Sequence, residues 1–444
     1  MIGEEDIALA EYVEKKISET ANDVLISLES GQMHELKFVN NAIIKVDHSN
    51  EKNMAICAIF GKKIVFANLK DFTKKSADKC IEDINIFEKH VEPKEDFFGI
   101  AEGPFKYKKI NLFDKKIAQI KEKDLLELAN LSIDAALKNA KRASGILHLS
   151  NSENYLFTSK NVKAKEKETA AYFSIRAFLD KNASGHSVCV SRNLKDFEPD
   201  KAGLEAGEFA KKSANPVEIK PGKYTILFHP LAFAVLLERI GHAASIFDVE
   251  NGASWFTNCV GKQISPEFIN IYDNGILKNG LGSSLFDAEG VPTQNTPIIE
   301  KGIFKTYLYN TSYARKYKTK STGNAGLLSP RPTNIYLAPS KKSFEELLSD
   351  IKNGIYITNL WYTRFQNYTS GEFSTIPRDA AFIIENGELK TSIKNLRISD
   401  NMPNLLKNIS DLASDIKQIR SWEVETPTWT PHVLVDNLNI TKPV

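Results

Sequence analysis

Between residues 6 and 21, Ile7, Leu9, Ala10, Val13 and Ile17 recur at near-helical spacing among charges, which predicts an amphipathic opening helix. The period then changes to two. β-rich runs at 23–29, 36–41, 43–48, 54–60 and 63–67 are broken at Gly31, Asn40-Asn41 and Gly61-Lys62, the pattern of a hairpin-linked sheet. A helix over 71–89 covers it. Pro93, Gly99, Gly103 and Pro104 punctuate a polar, aromatic-spotted stretch without periodicity, and this reads as a linker. The order then recurs, with a helix over 123–141, β-like runs at 145–150, 154–158, 170–177 and 186–192, and a closing helix over 200–212. Generic α+β organisation explains the recurrence as well as an ancient duplication does.

Pro216 and Pro221-Gly222 mark a second linker, after which a strand over 223–228 leads into an apolar helix. Beyond it the chain changes character. Short β-like runs dominate, the clearest at 303–309, 334–338, 380–385 and 432–438, with helical stretches only at 343–352 and about 402–416. Asn386-Gly387 is a strong hairpin signal, and Lys301-Gly302 is a weaker one. The expected fold class is therefore α+β. N-terminal (1–95) and central (105–215) domains of sheet and helix precede a mostly antiparallel, β-rich C-terminal domain (222–444).

Composition narrows the function classes. The 444 residues carry 58 Lys plus Arg against 56 Asp plus Glu, so a net charge of +2 gives no strong global field to gather nucleic acid or bind an anionic membrane surface and leaves room only for a small local patch. The most basic run, from Lys106 to Lys123, is interrupted by acids and apolar residues and reads as a solvated face. Cys57, Cys80, Cys189 and Cys259 form no C-x-x-C pair, which fits a reducing compartment. The acidic N-terminus and the lack of a long apolar run point to a cytoplasmic chain that does not span a membrane.

Candidate chemistry gathers at Leu237-Glu238-Arg239-Ile240-Gly241-His242, which reads as a His-Glu-x3-His metal site with leucine in place of its first ligand. A catalytic zinc takes three protein ligands and keeps a fourth position for water, while a separate Glu serves as general base. Leucine has no lone pair to give. Glu238 and His242 share one helix face, where a hydrogen-bonded bridge to a neighbouring sheet explains them without a metal. His229 and His432 are the side chains able to supply a missing nitrogen, although a histidine beside proline is more often a turn or core residue. Gly280, Gly282, Ser283 and Ser284 do not join a strand to a helix, which argues against a phosphate-cradling loop. Ser184-Gly185-His186 has no nucleophile-elbow context. The aromatic run 361–368, with Trp255, reads as core or interface.

Several ordered motifs then converge. They are Phe286-Asp287-Ala288-Glu289-Gly290-Val291-Pro292-Thr293, Ser321-Thr322-Gly323-Asn324-Ala325-Gly326, Pro330-Arg331-Pro332-Thr333-Asn334, Thr369-Ser370-Gly371-Glu372-Phe373 and Val435-Asp436-Asn437-Leu438. With these the sequence resembles the TldD/PmbA family of metallopeptidase-related proteins, once called modulators of DNA gyrase, most closely over 223–440. The resemblance implies that an active TldD-like subunit uses both histidines of His-Glu-x3-His and a cysteine near the C-terminus. This chain departs at two of those ligands: Leu237 replaces the first histidine and no cysteine follows Cys259. It implies a TldE/PmbA-like subunit with no cofactor of its own, dimeric with itself or with a TldD-like chain, acting on unfolded or extended peptides. The alternative it leaves open is a zinc peptidase with Glu238 as general base and His242 as ligand. A gyrase- or nucleic-acid-associated role is disfavoured by the balanced charge. Arg331, Thr333 and Asn334 are the expected substrate contacts, since a strand entrance can pair with an extended chain.

Overall fold

The computed structural model describes residues 1–326 and 328–442. Helix α1 (Glu4–Ile17) opens the chain, and strands β1 (Asp23–Val39), β2 (Ala42–Phe60) and β3 (Lys63–Leu69) follow, then helix α2 (Lys74–Phe87). The short α3 (Lys115–Ala118) and the longer α4 (Glu122–Leu137) lead to β4 (Arg142–Thr158), β5 (Lys163–Phe178) and β6 (Ser184–Ser191), and α5 (Pro199–Lys212) closes the region. The β runs expected at 23–29 and 36–41 are one strand, as are those at 43–48 and 54–60, and those at 145–150 and 154–158. Gly31 is no break, because it pairs with Glu51 on one side and Ser152 on the other. The real turn is Asn40-Asn41, whose φ angles of 50° and 71° suit a two-residue hairpin.

These six strands form a single antiparallel sheet in the order β3-β2-β1-β4-β5-β6. Strands β1 and β4, one from each side of the stretch around Pro93 to Pro104, pair continuously from Leu25–Thr158 to Phe38–Gly145. Alternation gives the sheet two unlike faces. Even-numbered residues of β1 face the helices: Val24, Ile26 and Leu28 pack with α1 and α2, and Leu36 and Phe38 with α4 and α5. Odd-numbered residues face away from the helices, and Leu25, Ser27 and Glu29 line a cavity together with Phe286 and Asp287 of the C-terminal region.

That region starts with β7 (Val217–Glu218) and β8 (Gly222–Phe228), followed by α6 (Pro230–Ala243) and α7 (Ile246–Glu250). Next come β9 (Ile271–Asn274), β10 (Asn295–Glu300), β11 (Ile303–Phe304), α8 (Thr311–Lys316), β12 (Ile335–Leu337) and α9 (Phe344–Ser349). β13 (Asn353–Ile357), β14 (Trp361–Asn367), β15 (Glu372–Ile376), β16 (Ala381–Glu385), β17 (Glu388–Lys394) and β18 (Arg397–Asn401) lead into α10 (Met402–Lys407). The chain ends with β19 (Ile409–Leu412), β20 (Lys417–Ser421), β21 (Val424–Thr430) and β22 (Val433–Thr441). One sheet runs β11-β10-β9-β12-β21-β20, and another runs β14-β15-β18-β22-β8-β13-β16-β17-β7 with β19 on β22. Most pairings are antiparallel. The β12–β21, β13–β8 and β17–β7 pairings are parallel, so the region is mixed. The expected helix over 402–416 stops at Lys407, because Ile409, Asp411 and Leu412 pair with β22 instead. Helix α6 is apolar nearly all round, from Leu231 to Ile240, and is the central core helix of this half.

Candidate functional site

Helix α6 brings Glu238 and His242 to its last two turns, facing β21. Pro230 occupies the first turn, and His229 caps the helix through Nδ1, which accepts the Leu231 N–H at 3.1 Å. Glu238 is 2% exposed, and its Oε1 accepts the backbone N–H of Thr426 at 2.7 Å. His242 Nε2 lies 3.1 Å from the Thr426 hydroxyl and 4.0 Å from Glu238 Oε1. One residue of β21 thus takes up both candidate groups. Burial raises the pKa of Glu238. Burial, with the nearby cations Arg239 and Arg331, takes His242 down to about 4, so its imidazole is neutral at pH 7 even though 39% of its side chain meets solvent.

Leu237, at the position of the missing ligand, is fully buried in the apolar core around α6. Among the described residues no three His, Cys, Asp or Glu side chains converge as a metal would need. The donor set around Glu238 and His242 therefore does not fit a catalytic zinc, which takes three protein ligands. His229 and His432 do not join it. His229 caps the far end of α6, thirteen residues from His242, roughly 20 Å at the helical rise. There the two rings meet at 5.1 Å between centroids, within a separate buried network. His432 sits between Asp415, 2.6 Å from Nδ1, and the Tyr356 hydroxyl, 3.0 Å from Nε2. Lys417 donates to Glu205 at 2.7 Å and lies 3.5 Å from His229 Nε2. Burial pushes Glu205 up, but the Lys417 ammonium and the hydrogen bond from the neutral His229 ring outweigh it and hold the carboxyl below its usual range.

The three expected substrate contacts have different surroundings. Arg331 is exposed and close enough to His242 to act on its charge. Thr333 donates both its backbone N–H (2.7 Å) and its hydroxyl (2.9 Å) to Asp273. Asn334 is fully buried; its Oδ1 accepts the Gly282 N–H, and its Nδ2 donates to the Asn274 carbonyl and the Ser283 hydroxyl. Of the three, Arg331 is the one whose side chain meets solvent with no hydrogen bond among the described residues.

Sequence reasoning missed Asp273 and Arg192. Asp273 is 1% exposed and gathers Thr333, Asn334 and Asn324; burial raises it to about 6 despite those bonds. Arg192, 2% exposed, donates to the carbonyls of Gly280, Leu281 and Ser283 and pairs with Glu168 at 2.7 Å. It closes the glycine loop from within. A Cβ on Gly282 would lie 1.9 Å from the Thr333 carbonyl oxygen, so that glycine permits the close approach of the two motifs. A lone buried arginine at a strand end has no sequence signature, whereas the glycine pair was visible without its partner.

The C-terminal region matches the PmbA/TldA metallopeptidase C-terminal domain over residues 221–442, and residues 115–214 match the central domain of the same family. The chain belongs to the PmbA/TldD family. Among its relatives, the metalloprotease TldD homolog of Buchnera aphidicola (subsp. Acyrthosiphon pisum) is 32% identical over 50% of this chain and 47% of its own length. This chain therefore spans about half of that TldD relative. The metalloprotease PmbA homolog of the same organism is 27% identical over 85% of both chains. The fold is shared with TldE from Thermococcus kodakarensis, at TM-score 0.89 and 22% identity, over 98% of this chain and 100% of that one. A Thermotoga maritima protein described as a candidate modulator of DNA gyrase superposes as well, at TM-score 0.89 and 24% identity over 98% and 100%.

Proposed function

We propose that this PmbA/TldD-family chain is a TldE/PmbA-like subunit of a TldD/TldE-type cytoplasmic peptidase assembly, and that it holds no catalytic metal of its own. The observation that carries the reading is the local chemistry of α6. Leu237 lies in the core without a donor, and Thr426 takes up both Glu238 and His242. Two bonded side chains cannot replace three ligands and an open water position. The PmbA relative aligned over 85% of both chains supports the subunit assignment. The partner is a TldD-like chain or a second copy, and the substrate is an unfolded peptide held extended, since pairing to a strand edge satisfies backbone groups without demanding one sequence. Arg331 is the residue assigned to substrate, because its guanidinium is free to meet a peptide carbonyl or carboxylate.

Metal analysis and peptide cleavage with the purified chain, alone and with a TldD-like chain, test this. Alone, the chain should carry no stoichiometric zinc and cleave no unfolded peptide. With the partner, cleavage should appear and fall in Arg331→Ala while the melting temperature stays unchanged. One tightly held zinc per chain, lost with activity in His242→Ala, would overturn the reading.

A further inference from the structure

The odd-numbered face of the long sheet and the motif loop beginning at Phe286 enclose a cavity of about 470 Å³, well within the size range of small-molecule sites. Its walls are chemically unlike. Leu25, Cys57, Ile59 and Leu156 from β1, β2 and β4, with Phe97 and Ile100, form its apolar part, and the same sheet also turns Ser27, Glu29, Asn154 and Glu166 to it. The opposite wall carries Asp287, Glu289 and Asn310, which are 8%, 8% and 6% exposed. Glu238, His242 and Thr426 are not on its lining, whereas Arg331 lines it and also acts on the charge of His242.

The polar wall is incompletely used. Asp287 is built into its loop: Oδ1 accepts the N–H groups of Glu289 and Val291, and Oδ2 accepts that of Ala325. Glu289 accepts one backbone N–H, from Thr311 at 3.2 Å, and among the described residues neither carboxylate has an ion-pair partner within 4 Å. Asn310 uses its Oδ1 to cap α8, while its side-chain nitrogen makes no hydrogen bond among the described residues. Arg315, the cation that acts on Glu289, donates to the Phe98 carbonyl, and Lys94 lies over the Tyr313 ring at 5.6 Å. Burial, then the neighbouring Glu289, raises Asp287, and burial raises Glu289. Two buried carboxyls that act on each other, with no cation paired to either among the described residues, disfavour the doubly ionised state. A buried charge without a partner is costly, so such a pair facing a void beside an apolar wall is complementary to a cation with an apolar substituent. A metal ion is the wrong cation here, because among the described residues no three acidic, His or Cys side chains stand together as a metal would need, although Glu29, Glu166 and Cys57 also line the cavity.

We infer that this cavity binds a primary ammonium group attached to an apolar body, with the ammonium on Asp287 and Glu289 and the body against Leu25, Ile59 and Leu156. The site stands independently of the subunit reading above. A free monoamine and the amino terminus of a peptide with an apolar first residue share this chemistry.

Titration calorimetry on the full chain separates them. The ligands are 2-phenylethylamine, its N-acetyl derivative, and a leucyl tetrapeptide with a free or acetylated amino terminus. Binding of a free-amine ligand should be at least about tenfold tighter than that of its acetylated form, as expected for loss of one charged pair in a buried site. Stronger binding of the tetrapeptide identifies a peptide terminus, and stronger binding of the monoamine identifies a small amine. Because the cation displaces a proton from the carboxyl pair, the 2-phenylethylamine heat should vary with buffer ionisation enthalpy, and its affinity should rise with pH. Glu289→Gln should remove the proton release and weaken binding about tenfold. Ala55→Trp, which fills the cavity from β2, should block binding even if the Glu289 variant does not fold. Equal binding of free and acetylated ligands, binding unchanged in Ala55→Trp, or no binding at millimolar ligand would overturn the proposal.

Discussion

At the scale of single residues, the site turns on how buried polar groups are satisfied. Glu238 and His242 were legible as a pair on one helix face, and their common partner was not, because Thr426 is 188 residues from Glu238 in the chain. The same blindness hid Asp273 and Arg192, whose bonds cross between strands and loops. His229 gives a clean test of this kind of group. It is 3% exposed, and burial takes it from the ordinary histidine value of about 6.5 down to about 4. The unfolded chain therefore binds this proton first as pH falls below 6.5. Stability contributed by the neutral ring is present above that pH and is lost progressively toward pH 4. His229→Asn keeps a capping oxygen for the Leu231 N–H but leaves a void beside Phe209 and Tyr356, which should cost about 1–3 kcal/mol at pH 7. The variant has no such proton to take up. The stability gap between wild type and variant should narrow by up to about 2 kcal/mol at pH 5, measured by urea unfolding at both pH values. A gap that stays constant would show that His229 does not titrate as its burial requires.

Element boundaries show which parts of a pattern the sequence carries alone. Asn386-Gly387 and Lys301-Gly302 form turns with positive φ at both residues, as their chemistry requires. The long strands were read in pieces because exposed polar stretches interrupt the alternation, while pairing on both sides carries β1 straight through Gly31. Helices α4 and α5 were legible from their apolar spacing, but the reason for Gly203 and Gly207 was not. A Cβ at Gly203 would lie 2.2 Å from the Ser132 carbonyl oxygen, and one at Gly207 would lie 2.5 Å from that of Ala136. These are backbone atoms of the facing helix, which cannot step aside as a flexible side chain does. Gly203→Ala should therefore destabilise the chain despite alanine's better helix propensity, by about 1–3 kcal/mol as in other overpacked interiors. Thermal unfolding measures it. A variant as stable as wild type would mean that the two helices separate at little cost.

For the whole molecule, the question is which pieces can bury their own cores. The sheet β3-β2-β1-β4-β5-β6 draws strands from both sides of the Pro93 to Pro104 stretch, and Leu36 and Phe38 of β1 enter the core formed with α4 and α5. A fragment spanning residues 105–215 would lose that packing and expose the β4 edge along its pairing with β1. The C-terminal region keeps its own large core around α6, where Trp255 is 9% exposed and stacks on Phe365 at 5.5 Å, while Tyr362, Tyr368 and Trp422 stay exposed. Helix, core and both C-terminal sheets lie within residues 217–441. Separate expression tests the division that follows. Residues 217–444 should give a soluble product with cooperative thermal unfolding. Residues 1–95 and 105–215 should aggregate or remain unfolded apart, and residues 1–215 should fold as one piece because every strand of the long sheet is then present. Cooperative unfolding of 105–215 by itself would mean that β4, β5, α4 and α5 suffice without the β1 contribution, and that the first strands are an addition to a core already complete.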